Sequence, residues 1–197
     1  MPAVAGLASG GFAIAWVRSG LSGSLNAVQL RIYDALGTAT TAPLTIDSNT
    51  SLGVFDPDIA AFASGNLLVA YRVGTGDLSF AIRDLSGGLV LGPTTLAGSG
   101  AIESDVALAY HVQDGVQSIL AVWEDSGAED GSGYAIRGRY ITPTGAFSGA
   151  EFTLNAQTTG DQVNPDIASN AAGLNAVVWT DLNANSGDIK LRTVTNV

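Results

Sequence analysis

"GLNAVVW", residues 173–179, decides the fold, because it is one of four copies of the same short pattern. The others are "GGFAIAW" at 10–16, "GNLLVAY" at 65–71 and "QSILAVW" at 117–123. Each is a run of small, β-branched and aliphatic residues that opens on a turn-forming or polar residue and closes on an aromatic, which is strand chemistry. The closing aromatics, Trp16, Tyr71, Trp123 and Trp179, are spaced by 55, 52 and 56 residues. A period in the low fifties marks a repeat architecture, and four aromatics at equivalent places predict core packing more than ligand stacking.

Reading outward, each copy is preceded by a short strand: "PAVAGLA" from 2, "PDIAAFA" from 57, "SDVALAY" from 104 and "PDIASNA" from 165. A third strand follows, "VQLRIYDALG", "LSFAIRDLSG" and "IRGRYITPTG", running from Val28 to Gly37, Leu78 to Gly87 and Ile136 to Gly145. A fourth, "APLTID", "GPTTLAG" and "GAEFTLN", completes the unit. No stretch carries 3.6-residue periodicity long enough for a stable helix.

Four short strands per unit predict an all-β chain, a β-propeller of four repeats, each a four-stranded antiparallel blade. The whole chain, 1–197, reads as one propeller domain with repeats at about 1–50, 51–99, 100–160 and 161–197. The last blade lacks its fourth strand, since its third begins at Ile189 and the chain stops at Val197. Either that blade has three strands, or this is part of a longer array, or copies assemble as a homo-oligomer through the incomplete blade. The ring then holds four blades in a monomer or eight in a dimer.

Composition narrows the function. Lys and Arg number 8 against 18 Asp and Glu, a formal charge of −10, which repels nucleic acid and anionic membrane surfaces. No apolar run approaches the roughly 20 residues that span a bilayer, so membrane insertion is not expected. With 46% hydrophobic residues the chain folds rather than remaining disordered. The absence of cysteine removes disulfides, thiolate catalysis and Cys-based zinc sites. "MPAVAGLASGG" lacks a basic n-region and a full apolar h-region, so the start reads as a domain boundary or an engineered Met. High Gly and an acidic surface suit an extracellular or cell-surface protein.

The stretch from 130 to 181, opening "DGSGYAIRGRY" and continuing through "GAFSGAEFTLN" and "GDQVNPDIA", is the most specific. It resembles the propeller-like repeats of large secreted bacterial proteins of the calcium-binding or RTX type, strongly in repeats 3 and 4 and loosely in 1 and 2. The resemblance implies a non-catalytic extracellular module of adhesion or matrix type. The Gly-rich nonapeptide calcium repeats that accompany such proteins are absent, so calcium must be argued from loops.

Two loops are candidate calcium sites. "DLNANSGDIKLR", 181–192, offers Asp181, Asn183, Asn185 and Asp188, and "EDSGAEDGSG", 124–133, offers Glu124, Asp125, Glu129 and Asp130. Calcium takes six to eight oxygens, but Asn and Asp also make plain turns, which is the preferred reading. The corresponding loops of repeats 1 and 2 carry almost no carboxylates.

A third constellation emerges from aligning the repeats. Asp58, Asp105 and Asp166 hold the second position of the opening strand, where repeat 1 has Ala3. That strand is innermost in a propeller, so the three carboxylates are expected at one mouth of the central channel. They are a turn device after Pro, a cation site, or an acid/base group like the paired carboxylates of glycosidases. His111, the single histidine, reads as a turn or edge residue, and no G-x-S-x-G elbow is present. Arg31, Arg83, Arg137, Arg139, Lys190 and Arg192 alternate with apolar residues on third strands, as on half-exposed strands.

The leading expectation is a secreted binding or adhesion module, stabilised by any loop calcium, with a glycan or a surface protein as partner. The alternatives are a glycan-active propeller, lectin or hydrolase, using the channel carboxylates, and a structural spacer.

Overall fold

The computed structural model describes residues 1–20, 26–48, 52–127, 130–183 and 187–195. The first repeat forms β1 (Ala3–Gly6), β2 (Phe12–Arg18), β3 (Ala27–Tyr33) and β4 (Leu44–Asp47). The second forms β5 (Val54–Ala61), β6 (Leu67–Val73), β7 (Asp77–Arg83) and β8 (Leu89–Ala97). The third forms β9 (Glu103–Gln113), β10 (Val116–Asp125), β11 (Ala135–Ile141) and β12 (Phe147–Thr153). The fourth has β13 (Gln162–Ser169), β14 (Asn175–Asp181) and β15 (Asp188–Val194). Within each sheet, strands adjacent in sequence pair antiparallel, giving three four-stranded blades and one of three strands, with no helix among the described residues. This is the four-repeat β-propeller that the sequence predicts.

The turns explain why the third-strand segments have constant length. Asp34 Oδ1 accepts the amides of Leu36 and Thr38 at 2.9 and 2.8 Å, and Gly37 takes the left-handed φ of 79° that closes the turn. Asp84 repeats the device with Ser86 and Gly88, both at 2.8 Å. In the third blade Thr142 substitutes, its Oγ1 accepting the Ala146 amide at 3.1 Å.

Each blade lays its first strand against the blade before it, β5 on β1, β9 on β5 and β13 on β9. Side chains alternate across a strand, so a middle strand with a blade on either side must be apolar on both faces. Leu67 to Tyr71 are accordingly all buried. Val28, Leu30 and Ile32 of the first blade meet Ile59, Val69 and Tyr71 of the second. Leu78, Phe80 and Ile82 meet Ile119, Ala121 and Trp123, and Ile136 and Tyr140 meet Val177 and Trp179. Three of the four repeat aromatics, Tyr71, Trp123 and Trp179, are therefore core, as expected, while Trp16 in the first blade is half-buried.

A β-bulge recurs on the first strand, opposite each of the three buried aromatics. The first strand advances three residues, from Phe55 to Asp58, from Ser104 to Ala107 and from Val163 to Asp166, while its partner advances two, past Tyr71, Trp123 and Trp179. The first bulge residues, Asp56, Asp105 and Asn164, have φ of 46, 49 and 54°. Asp and Asn tolerate this left-handed region better than other non-glycine residues, which accounts for their recurrence.

Candidate functional site

The four first strands converge on a cavity of about 350 Å³ whose lining draws on all four blades: Met1 to Ala3, Asp56 to Asp58, Asp105 to Ala107 and Asn164 to Asp166. The bulges hold these residues at the axis, since the extra residue in each bends the strand and turns its side chain out of the ladder. The expected convergence of Asp58, Asp105 and Asp166 is thus observed, but their equivalence is not. Asp58 and Asp166 follow the bulge, whereas Asp105 sits within it, matching Asp56 and Asn164, and Ala107 takes the Asp58 position. The third repeat carries no Pro in "SDVALAY" to fix the alignment, and a one-residue slip in a strand changes which side chain faces the axis.

The cavity has a strongly perturbed carboxyl. Burial pushes Asp58 up to about 6; amide bonds to its carboxylate from Ile59 and Leu108 oppose the shift and the charge of Asp166 adds to it. The Leu108 amide donates to Asp58 Oδ2 at 2.8 Å. Asp56, beside it, is ion-paired with Arg72 at 3.1 Å, and the Arg72 guanidinium lies 4.9 Å from the centre of the Phe55 ring.

Glu124, expected to serve a calcium loop, does not line the cavity but bonds residues at its edge. It is buried on β10, Oε1 accepts the Asn164 amide of the fourth blade, and Oε2 accepts the Ser104 hydroxyl at 3.2 Å. Burial pushes the Glu124 carboxyl up and the charge of Asp105 adds to the shift, while the bonds from the Asn164 amide and the Ser104 hydroxyl oppose it.

The other loop residues are engaged locally. Asp181 Oδ1 accepts the Asn183 amide at 3.0 Å and Asp125 Oδ1 the Gly127 amide at 2.7 Å, both turn-forming bonds. Asp188 pairs with Lys190 at 3.4 Å. Asp130 Oδ2 accepts from Asn155 Nδ2 at 2.5 Å, and Asn155 also donates to Gln162 Oε1 at 2.8 Å. Asn185 and Glu129 lie outside the described residues. Among the described residues no group of three or more His, Cys, Asp and Glu is placed to hold a metal ion.

His111 departs from its expected turn position. A two-residue turn at Asp114 and Gly115 lengthens β9, so His111 is a buried strand residue whose Nδ1 lies 3.0 Å from Asn175 Nδ2 of the fourth blade.

No family model matches the chain, and a search of curated proteins finds no match. Solved structures do match. The endo-arabinase of Bacteroides thetaiotaomicron aligns with all of this chain and 75% of its own at 13% identity and TM-score 0.59. The α-L-arabinanase of Penicillium chrysogenum, solved with arabinobiose, aligns with 99% of this chain and 62% of its own at 12% identity and TM-score 0.69. The α-L-arabinofuranosidase of Fusarium graminearum, also with arabinobiose, gives 99%, 62%, 13% and 0.62. The chain spans less than two thirds of the length of the last two.

At such identities the likeness establishes the propeller fold. It also corrects two expectations. The structural relatives are glycan-active propellers rather than calcium-binding or RTX-type repeat proteins, and the non-catalytic adhesion reading gives way with that resemblance. The polar residues that carried the resemblance have a structural use here. Asp130, Asn155 and Gln162 bond one another, and the Tyr134 amide donates to Asp161 Oδ1 at 3.1 Å, bracing the connection between third and fourth blades. A motif built from such a brace reports how blades are joined and carries no information on ligand.

Proposed function

We propose that the chain is a glycan-active propeller, a glycoside hydrolase whose axial cavity holds the sugar. The carrying observation is Asp58, raised to about 6 beside the charge of Asp166 in a cavity reached from all four blades. A carboxyl poised near neutral pH next to an ionised one is the pairing that glycoside hydrolysis requires. In this reading Asp58 donates its proton to the glycosidic oxygen as the bond to the anomeric carbon breaks, while water, giving its proton to the Asp166 carboxylate, forms the new bond to that carbon. The fold's relatives act on arabinose-containing glycans, which makes these the first substrates to try.

The test is hydrolysis of arabinan, galactan and aryl α-L-arabinofuranosides by the purified chain and by Asp58→Asn and Asp166→Asn. Each substitution is expected to lower the rate by about 10² to 10⁴ with the fold intact. Tight glycan binding without turnover, unaffected by Asp58→Asn, would instead describe a lectin.

A further inference from the structure

We infer that the outer faces of the first and fourth blades form the two walls of a seat for one further four-stranded antiparallel sheet of the same polypeptide. The repeats supply the comparison. Ile189 occupies the place of Val28, Leu78 and Ile136 in the third-strand register, and Leu191 that of Leu30 and Phe80. Val28, Leu78, Ile136, Leu30 and Phe80 are 0% exposed, whereas Ile189 is 73% and Leu191 63% exposed. Everywhere else on this face the next blade supplies the cover.

The first blade shows the converse. Val4 corresponds to Ile59 and Leu108, which are 4% and 8% exposed and packed against the preceding blade, yet Val4 is 67% exposed. Phe12, Ile14 and Trp16 share its face and are only half-buried, while Leu67, Val69 and Tyr71, their counterparts, are buried. An aliphatic third-strand face thus stands open at one end and an aromatic second-strand face at the other. A blade has one face of each kind, so a single blade presents the complement of both.

The cavity geometry argues against a second copy as the occupant. All four first strands already touch one space of about 350 Å³, so the ring is tight and four more blades do not fit around the same axis. The matching propellers are also longer, with this chain covering 75% and 62% of them, so that each has length for at least one more blade of this size.

The chain has no cysteine, so single cysteines report cover directly. Leu191→Cys is compared with Leu36→Cys, at a turn position 91% exposed, for reaction with a thiol reagent. Both are prepared in residues 1–197 alone and in the polypeptide as its gene encodes it. The expected result is equal reactivity of the two in residues 1–197, and at least tenfold slower reaction of Leu191→Cys in the encoded polypeptide at monomer mass. Equal reactivity in the encoded polypeptide overturns the inference. So does protection that appears only with a doubled mass, which identifies a second copy as the cover.

Discussion

Asp58 on β5 and Leu108 on β9 are joined by a 2.8 Å hydrogen bond from the Leu108 amide to Asp58 Oδ2, so the perturbed carboxylate at the axis also pins the second blade to the third. Site and scaffold therefore separate only through the choice of substitution.

Asp58→Asn retains an oxygen acceptor for the Leu108 amide, and Asp58→Ala leaves that amide unpaired at a cost of about 1 to 3 kcal/mol. The raised pKa adds a pH dependence. A carboxyl that ionises at about 6 in the fold, against its ordinary 3.8, stabilises fully below the lower value and loses that contribution as pH rises through 6. Asp58→Asn is therefore expected to gain in Tm over the parent at pH 8 and to match it at pH 4. Thermal melts of the parent and both variants across that range check this.

Burial lowers the His111 pKa from 6.5, the hydrogen bonds to Gln113 and Asn175 opposing the shift. The neutral ring is the one the fold holds, so its contribution is complete above 6.5 and is lost as pH falls below that value. Its sign is opposite to that of Asp58 in the same window, so the informative quantity is the difference between His111→Gln and the parent in urea titrations from pH 5 to 8. The parent is expected to lose stability relative to the variant on acidification.

Trp123 is fully buried between the second and third blades, among Phe80, Ile82 and Ile119. Trp123→Ala is expected to cost about 3 to 5 kcal/mol, as a large cavity in a packed interface does. Trp16→Ala, on the half-buried face of the first blade, is expected to cost clearly less in residues 1–197. Chemical denaturation of both variants gives the comparison.

Calcium is expected to leave Tm unchanged between millimolar metal and chelator, because Asp125, Asp130 and Asp181 already accept bonds from nearby amides and from Asn155. A native-state ligand at a hundred times its Kd adds about 2.7 kcal/mol, so a real site would be plain in the melt.

Four aromatics at a regular spacing made the propeller legible, because a repeated hydrophobic strand pattern has few ways to bury both faces. The constant span from Val28 to Gly37 and its copies was visible in the sequence, and the structure adds the Asp or Thr bonds that form the turn closing on glycine. Asp58 and Asp166, each after a Pro, were found at their true position. Asp105 was found at the axis but one place out, because its bulge residue is not marked by a following Pro. Glu124 was assigned to a loop, since nothing local shows that the end of β10 turns its carboxylate toward Asn164 of another blade.

By itself the sequence determined strand number, strand order and the apolar character of each blade face, all of which follow from local spacing and period-two alternation. Only the tertiary structure decided which carboxylates share a cavity and which apolar residues stay uncovered. Those depend on distances between blades about fifty residues apart in the chain, where one bulge changes what a side chain faces.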